Sequence, residues 1–238
     1  MTRRPETAPR APLSRDRVLR AAVELADGIG IEALSMRRLA QELGVVPMAL
    51  YKHVANKEQL LDGMVETVVG GIGRPASGPD WRGAVRQRIL SARAALLGHP
   101  WAAQVIRSRS GPTPAVLAHL DSVIGLFRAG GFSVDLTHHV MHALGGRVLG
   151  VTQEVFDASP HPDPAARPTM PPEAAAACPH VAELAGAAAH DGDSVVGGGC
   201  DDQFEFEFAL DLLLDGFERL RLQGWTSGAR RAGGGLIA

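Results

Sequence analysis

An all-α fold is predicted for this 238-residue chain, in two parts: an N-terminal three-helix helix-turn-helix domain and a C-terminal helical domain. Two observations predict it. Residues 34–57, LSMRRLAQELGVVPMALYKHVANK, read as two short helices around a glycine turn, followed by a charged anchor. Beyond residue 80, apolar residues recur at helical spacing in one segment after another, as far as Leu222.

The elements follow in chain order. MTRRPETAPRAP is rich in Arg and Pro and has no apolar signal core, so residues 1–13 read as a flexible arm and not an export signal. Ser35 caps the first helix of the turn motif, Leu39 and Leu43 give it an inner face, and Gly44 supplies the left-handed residue that ends it. Pro47 suits the first turn of a second helix because its missing N–H would have no partner there anyway, and that helix runs to about His53. So short a piece persists only when packed on neighbours, which suggests that it is kept for its outer face. At about 100° per residue, Leu50 and Val54 fall on one side and Met48 and Lys52 on the other, with Ala49 and Tyr51 on the flanks. Met48 and Ala49 suit base edges, whereas Tyr51, Lys52 and Lys57 have the length and donors to grip phosphates. Of the 24 basic residues only Lys52 and Lys57 are lysines, both placed where a compact charge on a flexible stem suits a phosphate.

Asn56 with Gln59 forms a capping box, and Leu60, Leu61, Met64, Val65 and Val68 carry a helix to the glycines at 70, 71 and 73. GRPASGP at 73–79 is a loop. Val85, Ile89, Ala92 and Leu96 mark one further helix, and Val116, Leu120, Val123 and Phe127 another, ended by Gly130 and Gly131. Ser133 caps the next, whose apolar positions 136, 140, 144, 148, 151 and 155 predict one long helix over 133–157. Prolines at 160, 162, 164, 168, 171 and 172 make 158–172 an exposed connection, after which an Ala-rich helix runs from Glu173 to about His190. The last helix, from about Asp201 to Leu222, puts Phe206, Leu210, Leu213, Phe217 and Leu220 on one face and Phe204, Phe208 and Leu212 on a second. A helix apolar on more than one side must be enclosed, and an abutting second copy is the expected cover. The predicted domains are therefore 14–60, 61–225 and a tail over 226–238.

Composition narrows the function. No run of eighteen apolar residues exists, so no membrane partner is expected and the chain reads as cytoplasmic. Cys178 and Cys200 have neither a disulfide framework nor a zinc spacing. The net charge of -2 divides unevenly: residues 1–57 carry ten basic and six acidic side chains, the remainder fourteen and twenty. One end is attracted to nucleic acid and the other repelled. An excess of four positive charges is modest, so affinity needs two copies acting together. No nucleophile, acid–base pair or metal set stands at a diagnostic spacing, which argues against an enzyme and against any cofactor.

Residues 14 to about 66 resemble the DNA-binding domain of the TetR family of bacterial transcriptional regulators, through Ser14, LSMRRLAQELGV, ALYKHVANK and the LLD of 60–62. The resemblance implies that Arg37 contacts a base or phosphate beside Ser35. It also implies that Pro47, Met48, Ala49, Tyr51, Lys52 and His53 lie on the recognition helix, with Lys57 at the start of the next. His53 points closer to the packed side, so a structural role competes with a phosphate contact there. The later half is similar to the tetracycline-repressor-like C-terminal domain, through DWR at 80–82, HPW at 99–101, GP at 111–112 and the close of the last helix.

That resemblance implies a homodimer built by the helix at 133–157 and the last helix, with Gly146, Gly150, Phe206, Leu210, Leu213 and Phe217 at the interface. A bend or a ligand cavity is the competing explanation for the glycines. It also implies a small-molecule effector, with Trp101, Gln104, His138 and His142 as candidate contacts, and double-stranded operator DNA as the other partner. His138 and His142 are half a zinc site by spacing, but His139 stands where an HExxH motif has its glutamate, and no third ligand is evident. The expected function is a ligand-responsive DNA-binding regulator, a repressor released by its effector. The alternative is a helical small-molecule- or partner-binding protein without DNA binding.

Overall fold

The structure, a computed structural model, describes residues 12–73, 80–151, 171–187 and 202–228, and these are helical with no strand among them. They fall into two compact units. The first runs to Gly130 and takes in Val148–Val151; the second holds Gly131–Arg147 and the chain from Thr152 onward.

In the first unit, α1 (Arg15–Ile29) is capped by the Ser14 hydroxyl, which accepts from the Arg17 amide at 3.2 Å, and buries Val18, Leu19, Ala22, Val23 and Ala26 at helical spacing. Ser35 caps α2 (Met36–Leu43) in the same way through the Arg38 amide. Next comes α3 (Pro47–Leu50), and then α4 (Lys57–Gly70). The capping box predicted for α4 forms with one shift: Asn56 Oδ1 accepts from the Gln59 amide at 2.8 Å, while Gln59 Oε1 accepts from Ala55 rather than Asn56. The unit continues with α5 (Trp81–Gly98), α6 (Pro100–Ser108) and α7 (Pro114–Ala129). Helix α4 is its hub, packed on α1, α5, α6 and α7, with Leu60, Met64 and Val65 wholly buried. Burying such side chains at about 1.5–3 kcal/mol each is what holds short helices that could not persist alone.

The second unit contains α8 (Val134–Leu144), α9 (Pro172–Ala177), α10 (Pro179–Ala187) and α11 (Asp202–Leu222), and a 3-10 turn over Gly145–Leu149 follows α8 with its last two residues in the first unit. Three expectations are corrected here. The helix foreseen over 133–157 stops at Leu144, where Gly145 adopts φ +50, ψ −129, and residues 152–157 lie outside the described residues. The Ala-rich helix is two, divided at Cys178 ahead of Pro179, whose ring disfavours helical geometry in the residue before it. The chain beyond 225 is also tied down at its start, since the Ser227 amide and hydroxyl donate to the Asp135 carboxylate at 2.7 and 2.8 Å. These bonds hold the Asp135 pKa below the usual carboxylate range. The arm at 1–11, Cys200 and the tail from 229 lie outside the described residues.

Candidate nucleic-acid interface

The turn between α2 and α3 is a closed hydrogen-bonded corner. Gly44 sits at φ 66, ψ 37 and donates to Gln41 O at 3.1 Å, while Val45 donates to Ala40 O at 2.9 Å. This pairing satisfies two carbonyls at the end of α2 and demands a left-handed residue, which glycine supplies without a Cβ clash. Val46, held extended before Pro47, then launches α3. The regular helix is shorter than expected, four residues rather than seven, and continues as a turn in which the amides of His53 and Val54 both donate to Leu50 O.

Leu50 and Val54 are wholly buried on the inner side of this piece. Outward stand Met48, 71% exposed, and Tyr51, 46% exposed, with Lys52, Lys57, Arg37 and Pro47 also exposed. Ala49 and His53 are half-buried on the flanks, as the helical projection requires, and Ser35 is exposed while its hydroxyl is engaged as a cap. One residue of this surface escaped the sequence reading: Val46 is 68% exposed beside Met48. Its signal was available, because a residue ahead of proline is driven to extended geometry and a branched apolar side chain there can turn outward. The outer side thus offers apolar atoms at its start and cationic or hydroxyl donors at its end, which suits thymine methyls and phosphates in one groove.

The four candidate effector contacts divide between the two units, Trp101 and Gln104 in the first and His138 and His142 in the second. Trp101 is buried, but its Nε1 donates to Asp27 Oδ1 at 2.6 Å, and His99 Nδ1 lies 2.9 Å from the same carboxylate. Gln104 donates to Glu32 at 3.0 Å. These side chains fasten α6 to α1 and the loop after it. Arg109, just past α6, pairs with Glu58 and Asp62 of α4, and Glu66 accepts from the Ala115 amide at the start of α7. An open cleft of about 790 Å³ lies here, lined by Arg15, Asp62, Glu66, Arg109 and Thr113 among others. In the second unit His138 and His142 stack edge to face at 4.6 Å on the exposed side of α8, and no metal-holding cluster occurs among the described residues.

Phe206, Leu210 and Phe217 of α11 are buried within their own chain together with Leu214, and Leu213 is only half-buried. The stripe left outward is Phe204, Phe208 and Leu212, from 53% to 61% exposed. Gly150 has φ +72, and a Cβ there would fall 2.2 Å from Arg93 Cα, so the bend anticipated as an alternative accounts for this glycine without a second copy.

Comparison with known proteins bears on both halves. Residues 18–64 match the model for bacterial regulatory proteins of the tetR family, and residues 74–221 match that for the tetracyclin repressor-like C-terminal domain. The chain belongs to the TetR family of transcriptional regulators. Among TetR-family relatives it is 37% identical over 153 residues to the HTH-type transcriptional repressor DrrR1 of Streptomyces coeruleorubidus, covering 63% of this chain and 57% of that protein. It is 31% identical over 215 residues to the class G tetracycline repressor of Vibrio anguillarum, covering 88% of this chain and 95% of that one. The chain spans little more than half of the first of these relatives and nearly all of the second. Among solved structures, apo ActR from Streptomyces coelicolor superposes with a TM-score of 0.67 at 27% identity, over 91% of this chain and all of that one. The same protein in complex with actinorhodin gives 0.64 at 28%, over 88% and 98%. The TetR family is regulatory and not enzymatic. No described helix is long and apolar enough to cross a membrane.

Proposed function

We propose that this protein is a homodimeric, ligand-responsive repressor of the cytoplasm that binds a pseudo-palindromic double-stranded operator and is released by a small-molecule effector. The observation that carries the reading is the outer side of the α3 turn, where Val46, Met48, Tyr51 and Lys52 face solvent over a buried Leu50 and Val54. Large apolar side chains kept exposed on so small an element mark a surface meant to be covered. The second copy docks on the outward stripe of α11, Phe204, Phe208 and Leu212, leaving Phe206, Leu210 and Phe217 to the chain's own core. Two α3 turns in successive major grooves then supply the affinity that one protomer's modest positive charge does not. Effector control is supported by the relatives: one is a tetracycline repressor, and ActR has been solved with actinorhodin bound.

The test is a gel mobility shift with the DNA upstream of the protein's own gene. Tyr51→Phe and Lys52→Ala are expected to weaken the shift while leaving the helical spectrum intact. Full affinity in both variants removes the reading face from the account. Lys57→Ala should weaken all sequences alike, because a phosphate contact carries no base information.

A further inference from the structure

Residues 46–49 open the recognition turn without a conventional hydrogen-bonding side chain. Val46 is 68% exposed and Met48 71%, Pro47 between them is exposed, and Ala49 is half-buried. Methionine alone offers an acceptor, the weak one of its thioether, and Pro47 lacks even a backbone N–H. This apolar group is held in place. Val46 is extended at φ −77, ψ 146, its carbonyl accepts from the Ala49 amide at 2.9 Å, and the wholly buried Leu50 anchors the turn from within. The polar residues of the motif stand elsewhere. The Ser35 hydroxyl is engaged by the Arg38 amide, Arg37 belongs to α2, and Tyr51 and Lys52 close the turn with the reach of phosphate contacts.

In a helix-turn-helix the opening residues of the second helix are the ones that meet base edges. Those edges present donors and acceptors that distinguish every base pair in the major groove, and one apolar group, the C5 methyl of thymine. An apolar side chain laid on a donor or acceptor strips its water and returns no hydrogen bond, which costs free energy. Laid on a methyl, it removes apolar surface from water on both partners, which gains free energy. The start of α3 therefore rewards a C5 methyl. It has no group with which to read the oxygen or amine at C4, which is where thymine and 5-methylcytosine differ.

Resting on the operator-binding reading, we propose that the start of α3 is a reader of the pyrimidine 5-methyl group. Cytosine methylated at C5 then takes the place of thymine beneath Val46 and Met48, and methylation of the DNA tunes operator affinity. Each methyl covered in this way is worth about fourfold in affinity, by the transfer free energy of one buried hydrocarbon group. A dimer that covers one methyl in each half-site should lose about fifteenfold when both are removed.

The probe is the fragment upstream of the protein's own gene, amplified with dUTP in place of dTTP, and its affinity for the full-length protein is read by fluorescence anisotropy at fixed salt. Uracil keeps every pairing and groove hydrogen-bonding group of thymine and lacks only the methyl. The uracil fragment is expected to bind about fifteenfold more weakly than the thymine fragment, or worse. Single uracils scanned through the footprinted tract in a synthetic duplex should locate the sensitive positions, each worth about fourfold. At such a position a pair of 5-methylcytosine with guanine should bind about fourfold more tightly than cytosine with guanine. Val46→Ala and Met48→Ala truncate exposed side chains, so the fold stands, and each should erase the uracil penalty at the position its side chain covers. Lys52→Ala should weaken both fragments and keep their ratio. Equal binding of thymine and uracil fragments overturns the inference and leaves operator binding standing. So does 5-methylcytosine that binds no better than cytosine, or a uracil penalty that both alanine variants retain. Failure of both fragments to bind overturns operator binding itself, and this inference with it.

Discussion

Lysine 52 offers the sharpest quantitative test of the DNA-facing surface. It is exposed at the end of the α3 turn, and among the described residues no ion pair to it occurs, so removing it frees no buried partner. A dimer carries two copies. If each neutralises one phosphate, Lys52→Ala lowers the slope of log affinity against log salt by about 1.8, taking about 0.9 per phosphate. Between 50 and 200 mM salt the wild-type advantage should then shrink by about twelvefold, from the same counterion-release relation. Near 150 mM, extrapolated from 1 M, it should stand at about thirtyfold. Fluorescence anisotropy of a labelled upstream fragment across that salt range measures both quantities. A slope equal to that of the wild type, with helicity and dimerisation unchanged, refutes the phosphate contact however much affinity is lost.

Further predictions concern stability. Leu50→Ala should cost about 2–5 kcal/mol in chemical denaturation, the range for a leucine removed from a packed core, because Leu50 is fully buried beneath the reading surface. Gly44→Ala should cost about 1–2 kcal/mol, since an alanine must adopt the left-handed conformation there. A double-mutant cycle of Trp101→Phe with Asp27→Ala should give a coupling of about 1.5–3 kcal/mol, the value of a hydrogen bond to a charged group, and a coupling near zero would free Trp101 for a ligand after all. For His119, burial is the largest cause of a lowered pKa, reinforced by Arg88 and opposed by the bond to Val148. The unfolded chain therefore takes up a proton near the ordinary value of about 6.5 while the folded one does not. Stability should fall as pH drops from about 6.5 toward the folded pKa, and His119→Gln should flatten that part of the profile.

What could be read from the sequence was what local chemistry decides. Ser35, Asn56 and Ser133 cap where a hydroxyl or amide precedes an apolar period, and Gly44 ends α2 where the period stops. Apart from Val46, the α3 surface followed from helical projection. The misread parts depend on residues far away in the chain. Trp101 and Gln104 are committed to Asp27 and Glu32, more than seventy positions earlier, and no periodicity reveals such a pairing. The long helix fails at Gly145 although its apolar spacing continues, because Val148 and Gly150 find partners on α7 and α5. In α11, apolar residues surround the axis, so Leu214 rather than Leu213 becomes buried for reasons of packing that no one-dimensional pattern contains.

Hydroxyl-radical footprinting of the upstream DNA by the wild-type protein tests the central claim most directly. Two α3 turns presented by a symmetric pair should protect two tracts whose centres lie about 10.5 base pairs, or a multiple of that, apart. Both tracts should fade together in Tyr51→Phe. A single tract, or none at concentrations where the protein is folded and dimeric, would contradict the account.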